Sequence, residues 1–491
     1  MALPDSFVTP FVNTLTSASA SAKHASDLPP PPADPRTFIS SSTPLALHTG
    51  SGASLYASAL LPALSTAKHE IILVTCFWAA SDSLSALRRA LETLARRRID
   101  SIADSNAHLP ELTVRICFSS RSPWQKLFHT WSRRGHVYPP KAWQGLGLPG
   151  EDLLREARMR MRVKSLFFLP FSVMHPKFLV VDGRRAWLPS CNVSWETWFE
   201  TCVELEGPAV GVLLGFYEQV WEYGEETPRR RRRADGPGTT TAANGGNGEA
   251  RLSPTLHFTG NPARRIHYFS RAQGTRAAAA GSLPTVILPS SHHRNPRFNT
   301  VIPFLPLPFL KEPPPPPTPL NVALQTLFAN AQRNIRILTP NLTCRAVESA
   351  LLDALARGVD VSILTSKGMM VPEQLVTALT TTSRRVRALI AAYERLCAAE
   401  GDLESARRVG RLEVSYYRPD PEGGGNGEGE PVVSHVKMVR VDGEFTVLGS
   451  GNMDRASWYT SQELGVMFYG GEGWDLWEGP LATRTEVVFP R

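Results

Sequence analysis

His175-Pro176-Lys177-Phe178-Leu179-Val180-Val181-Asp182-Gly183 and His435-Val436-Lys437-Met438-Val439-Arg440-Val441-Asp442-Gly443 are the two stretches on which the reading of this chain turns. Each is followed by the same kind of tail, Ser190-Cys191-Asn192 after the first and Ser450-Gly451-Asn452 after the second. In both copies lysine follows histidine by two residues, aspartate follows lysine by five, and asparagine follows aspartate by ten. One His-x-Lys-x4-Asp match would be weak evidence. Two copies with identical spacing are not an accident. Lysine is also scarce here, nine of 53 basic residues, so its recurrence at one motif position carries weight.

The surroundings repeat as well. Ala67-Lys68-His69-Glu70-Ile71-Ile72-Leu73-Val74-Thr75 lies over Ala331-Gln332-Arg333-Asn334-Ile335-Arg336-Ile337-Leu338-Thr339. Periodicity predicts helices over 55–67 and 84–98 and strands over 70–75 and 112–118, then the strand pair 177–181 and 186–188 joined by Asp182-Gly183, and a helix over 208–223. The second half predicts helices over 321–331 and 346–357, strands over 334–338 and 359–364, and a long helix of its own over 372–400. A repeat longer than 200 residues is too long for a solenoid and indicates two copies of one domain. The expected fold is α/β: two tandem domains, each a mixed sheet flanked by helices, forming one pseudo-twofold active site. The domains are placed at 41–224 and 320–491. Residues 1–40, rich in Ser, Ala and Pro and ending in Pro29–Pro32, read as a disordered arm. Residues 225–319 read as a low-complexity linker and crossover, with Arg229–Arg233 near its start and Pro313–Pro317 near its end; 423–430 reads as a flexible insertion.

In an extended segment residues i and i+2 face the same side, so each histidine and its lysine address one cleft. The Asp-Gly turn then returns the chain with its Ser and Asn. Two such halves face to face present two imidazoles, two ammonium groups, two hydroxyls and two carboxamides, a set suited to a phosphodiester. One of His175 and His435 attacks phosphorus while the other protonates the leaving oxygen. Lys177, Lys437, Ser190, Ser450, Asn192 and Asn452 hold the phosphate oxygens, and neither metal nor cofactor is called for. Glu204 and Glu463, 29 and 28 residues after the two histidines, are the expected orienting partners of the imidazoles. Asp182 and Asp442, beside the glycines of the turns, read as structural. Trp198 and Trp458, each six residues after a motif asparagine, are candidates for the cleft wall or for the core.

The paired motifs resemble the HKD signatures of the phospholipase D superfamily, over roughly 50–224 and 320–470. Val203-Glu204-Leu205-Glu206-Gly207-Pro208-Ala209-Val210 and Leu338-Thr339-Pro340-Asn341 are most similar to segments of the cardiolipin synthase branch. Pro189 stands where that family usually has Gly, Cys191 is an unusual neighbour, and Asn341-Leu342 replaces an aromatic. The resemblance implies a phosphohistidine intermediate, with His175 as nucleophile and His435 as acid. It further implies a phospholipid substrate, released by hydrolysis or by transfer to an alcohol.

A net charge of +8 favours anionic partners, here a phospholipid at an anionic membrane surface, with nucleic acid and nuclease activity as the alternative. A scaffold that binds phosphate without catalysis would call for damaged motifs, and both are intact. The arginine run suits anionic lipid, a nuclear address or a plain solvated linker. Six scattered cysteines without a Cys-x-x-Cys pair argue against a disulfide framework or zinc site. No apolar run approaches a membrane span, and the start of the chain does not read as a secretory signal. The expected location is intracellular, in the cytoplasm or peripherally on a membrane, with the nucleus as the alternative.

Overall fold

The computed structural model describes residues 2–21, 34–105, 109–129, 132–168, 172–225, 281–290, 314–400, 409–419, 431–471 and 474–489. The first half supplies β1 (Ile39–Ser51), β2 (Glu70–Phe77), β3 (Leu112–Ser120), β4 (His136–Tyr138), β5 (Met159–Ser165), a small pair β6 (Phe167–Phe168) and β7 (Ser172–Val173), β8 (Phe178–Val181), β9 (Arg185–Pro189) and β10 (Phe199–Glu206). The second supplies β11 (Leu283–Ser290), β12 (Asn334–Thr339), β13 (Asp360–Thr365), β14 (Leu412–Tyr417), β15 (Met438–Val441), β16 (Phe445–Gly449), β17 (Glu463–Tyr469) and β18 (Thr485–Phe489).

All except β6 and β7 belong to one 16-stranded mixed sheet, in the order β18-β14-β13-β12-β15-β16-β17-β11-β1-β10-β9-β8-β2-β3-β5-β4. The order reads the same outward from its centre. β1 and β11 meet antiparallel there, through Ile39–Ser42 against Val286–Leu283. On either side come an antiparallel meander (β10-β9-β8 and β17-β16-β15) and then three parallel strands (β2-β3-β5 and β12-β13-β14). The two expected domains are therefore halves of one continuous sheet.

Side-chain alternation sets the layers. Ile71 and Leu73 pack with the helices Asp82–Ser105 and 52–64 on one face. Ile72 and Val74 pack on the opposite face with the helix Pro208–Val220. The second half does the same with Ile335 and Ile337 against its own helices and Leu338 on the shared face. The core common to both halves thus lies under Pro208–Val220, joined by Trp474, Leu476 and Leu481.

Three expectations are corrected. The arm 1–40 is ordered over much of its length, with a helix at Asp5–Ser21 and β1 starting at Ile39. Phe7, Phe11 and Leu15 recur every four residues and bury in the core of the second half, a helical stripe that the Ser/Ala composition hides. Pro10 withholds the amide that would have bonded to Ser6; the Asn330 side chain donates to that Ser6 carbonyl instead, at 3.2 Å. Within the 225–319 linker, β11 is a central strand with Val286, Ile287 and Leu288 buried. The helix expected over 372–400 is broken into Val371–Ala378 and Thr382–Glu400, with Leu379 between them at φ +51°. The arginine run 229–233, the prolines 29–32 and the 423–430 insertion lie outside the described residues.

Candidate active site

Lys177 and Lys437 immediately precede β8 and β15, and the two histidines lie just beyond the strand ends in extended chain rather than inside strands. The reason is that the backbone there pairs with the other half. The His175 amide donates to Gln462 O at 2.9 Å, and the Gln462 amide donates to Val173 O at 2.9 Å. Symmetrically, the His435 amide donates to Phe199 O and the Phe199 amide to Val433 O, both at 2.8 Å. Ser119 and Ser366, just past the C-terminal ends of β3 and β13 or at them, accept from the amides of Met174 (2.9 Å) and Ser434 (3.1 Å) and fix the approach to each histidine.

This crossed pairing decides the side-chain partners. Gln462 is followed by Glu463, and His175 Nδ1 lies 2.8 Å from Glu463 Oε2. Phe199 is followed by Glu200, and His435 Nδ1 lies 2.8 Å from Glu200 Oε1. Each imidazole is thus held by a buried carboxylate of the opposite half, with Nε2 left for chemistry. Ser450 Oγ donates to Glu463 Oε2 at 2.5 Å and Ser457 Oγ to its Oε1 at 2.8 Å. Ser190 Oγ donates to Glu200. The two motif serines therefore point their protons at the glutamates, not at a phosphate position. Lys177 Nζ and Lys437 Nζ each use one donor on their own histidine's carbonyl, at 3.0 and 2.7 Å, which leaves two donors apiece.

Glu204 does not do what its spacing suggested. Its Oε2 faces His48 Nε2 at 3.4 Å and its Oε1 lies 3.8 Å from Arg185. The equivalent of Glu463 is Glu200, since the Ser190 amide bonds to Thr201 O as the Ser450 amide bonds to Leu464 O. The second tail is three residues longer because it holds the short helix Arg455–Tyr459, and counting from the histidines hid this.

Asn192 Oδ1 accepts from the Phe77 amide at 3.2 Å, whereas Asn452 Nδ2 donates to Asp454 at 2.9 Å and its Oδ1 is buried without a partner. Trp198 leans on the His435 ring, centroids 4.7 Å apart, while Trp458 is in the core. Cys191 fits because Gly52 faces it: a Cβ on Gly52 would lie 3.1 Å from the Cys191 Cβ. In the second half the sizes are exchanged, and a Cβ on Gly451 would meet Leu320 at 2.8 Å.

Burial opposes separated charge throughout the site. It lowers His175, and it lowers His435 well below the ordinary value, helped by Lys437, Lys177 and His175. It pulls Lys437 down to about 7 and pushes Glu200 up to about 8. An anion bound there would favour the protonated lysine and imidazoles.

Residues 324–478, with the second motif inside them, match the family described as "Cardiolipin synthase, PLD-like domain". Those residues of the second half thus carry a phospholipase D-like domain. Among solved structures the chain is similar to phosphatidylserine synthase of Haemophilus influenzae Rd KW20, at 13% identity and TM-score 0.48, over 91% of this chain and 89% of that one. It is similar to polyphosphate kinase of Porphyromonas gingivalis at 12% identity and TM-score 0.37, over 86% and 47%. It is also similar to Nuc of Salmonella typhimurium, a phospholipase D family member, at 21% identity and TM-score 0.20, over 30% and 75%. No curated protein matches it.

The motif aspartates face away from the paired imidazoles. Asp182 accepts from the amides of Lys68, His69 and Glu70, and Asp442 from those of Gln332, Arg333 and Asn334, pinning the turn to the start of β2 or β12. Both adopt a left-handed backbone, φ +52° and +56°. Asp182→Ala loses three charge-assisted bonds and strains the turn, so urea unfolding should show a loss of roughly 2–4 kcal/mol. Asp182→Asn, which keeps one acceptor and tolerates that backbone, should lose markedly less. Equal losses would contradict this role.

Proposed function

We propose that this phospholipase D-type phosphodiesterase acts on phospholipids, transferring the phosphatidyl group through a phosphohistidine to water or to an alcohol. The observation that carries the reading is the crossed pair of imidazoles, each with Nδ1 on a buried glutamate of the other half and a lysine at its side. His175 Nε2 gives its lone pair to phosphorus, the bond from phosphorus to the headgroup oxygen breaks, and His435 delivers its proton to that oxygen. Neutral His435 then takes a proton from the incoming water or alcohol, whose oxygen displaces His175 from phosphorus. Lys177 and Lys437 hold the non-bridging oxygens and supply the positive charge. The assignment of nucleophile and acid follows the family resemblance, and it suits the side-chain exposures, 17% at His175 against 3% at His435.

The test is incubation with mixed phospholipids in EDTA, with and without a primary alcohol, and mass spectrometry of all products. Phosphatidic acid, or a phosphatidyl-alcohol when alcohol is present, is the expected product, undiminished by the chelator. Cleavage of an oligonucleotide with no lipid product would assign a nuclease instead. Complete loss in EDTA, restored by a divalent ion, would contradict the chemistry.

The site's titration predicts the pH profile. Lys437 loses its proton as pH rises through about 7 in the free enzyme, and both imidazoles are displaced to lower values. kcat/KM, which reports the free enzyme, should therefore fall as pH rises above about 7. The alkaline limb of kcat should lie higher, because bound phosphodiester charge favours the protonated lysine and imidazole. A kcat/KM flat from pH 7 to 9 would contradict this.

A further inference from the structure

We infer that the edge of the sheet carrying the active-site mouth is an apolar, positively flanked surface that docks on an anionic phospholipid bilayer. The inference rests on the phospholipid reading above and says how the site meets its substrate. Among the described residues ten large hydrophobic side chains are exposed, and seven of them lie at the one edge where the parallel strands end and the histidines begin.

The first half contributes Trp124 and Phe128, on the short helix Pro123–Phe128 that follows β3, with their rings stacked at 6.0 Å. It also contributes Trp195, three residues past Asn192, whose ring meets Phe77 edge-on at 5.7 Å. The second half contributes Leu375, Val376 and Leu379, on and just after the helix Val371–Ala378 that follows β13. That helix is tied to the site, since Arg455, on the helix after Asn452, donates to Thr377 O at 3.1 Å. Val432 completes the set three residues before His435.

β3 and β13 occupy equivalent places in the two halves, so the pseudo-twofold places one apolar helix on each side of the mouth. Trp124 is 70% exposed and Phe128 62%, a cost in water that burial at an interface recovers. Tryptophan is also a preferred side chain at the headgroup level. Charge selects the occupant: Arg121 and Lys367, exposed in the segments leading from β3 and β13 to these helices, outnumber the one exposed carboxylate of the two helices, Glu373, and complement anionic lipid. The other three exposed hydrophobics, Val137, Val487 and Val488, sit on the outermost strands and provide a control.

The experiment compares wild type, the combined variant Trp124→Ser, Phe128→Ser, Leu375→Ser and Leu379→Ser, and the combined control Val137→Ser, Val487→Ser and Val488→Ser. Binding to phosphatidylcholine vesicles with and without phosphatidylglycerol is measured by co-sedimentation, binding to oligo-dT by anisotropy, and turnover on vesicles and on a monomeric short-chain phosphatidylcholine. The rim variant should lose about tenfold or more in binding to anionic vesicles and in turnover on them, with turnover of the monomeric lipid unchanged. The control should match wild type. Wild type that does not bind anionic vesicles, a rim variant that binds them equally well, equal loss on monomeric lipid, or loss confined to oligo-dT would each overturn the inference. Failure of the phospholipid reading looks different: wild type then cleaves neither vesicular nor monomeric lipid, while vesicle binding still judges the rim.

Discussion

His175→Ala and His435→Ala should each reduce phospholipid turnover by about 10⁴-fold or more, because nucleophile and acid act as one unit and a lost general acid alone typically costs about 10²–10⁴. The variants should differ in kind. A leaving group that departs without a proton, such as p-nitrophenol, makes the acid dispensable for the first step. His435→Ala should then still release one equivalent of p-nitrophenolate in a single-turnover burst, with the second step slowed by loss of the base. His175→Ala has no nucleophile and should give no burst. The reverse pattern exchanges the two roles, and full turnover by either variant contradicts the two-histidine mechanism.

Glu200→Ala should cost about 10²–10⁴-fold in kcat, less than losing the acid it positions, while Glu204→Ala stays close to wild type. Glu200 accepts from Ser190 and holds His435 Nδ1 in a fully buried setting, so its removal strips His435 Nδ1 of this acceptor and leaves Ser190 Oγ the Thr201 carbonyl, 3.2 Å away. Glu204 belongs to a separate group with His48 and Arg185. A loss of packing alone would leave the pH profile where it was. Glu200→Gln distinguishes the two effects: it keeps the shape but cannot take on the negative charge that Glu200 acquires as pH rises through about 8, and which favours imidazolium, so the alkaline limb of kcat should move to lower pH. An unmoved limb, or a larger loss from Glu204→Ala than from Glu200→Ala, would contradict the crossed arrangement.

That contrast also marks where the sequence could be read and where it could not. Asp182 and Asp442 were legible as structural because each sits beside the glycine of a turn; the three amides that each carboxylate holds, more than 100 residues away in sequence, were not. The histidines and lysines were legible because spacing and repetition identify them without knowledge of the fold. Glu200 was not, because the three extra residues of the second tail fold into Arg455–Tyr459 and shift the count. Nor does a linear repeat reveal that each imidazole takes its carboxylate from the opposite half; that follows from β1 and β11 joining the halves into one sheet. β11 itself escaped notice because its apolar core, Val286-Ile287-Leu288, is short and lies between Pro284 and Pro289. The helix Asp5–Ser21 escaped for a compositional reason. Its Phe7-Phe11-Leu15 stripe is set among serines, alanines and a proline, and it is stabilised by packing on Pro319–Asn330, more than 300 residues away in sequence.

The central claim is a covalent step at one imidazole of a site built by both halves, and it can be read on the unaltered protein. Wild type is mixed with a labelled phosphodiester, quenched within one turnover under conditions that preserve phosphoramidate, digested and mapped by mass spectrometry. The account predicts the phosphoryl adduct on the peptide containing His175, lost in acid as a phosphohistidine is. Turnover that proceeds with no adduct on either histidine, or with the adduct on Ser190 or Ser450, would contradict it.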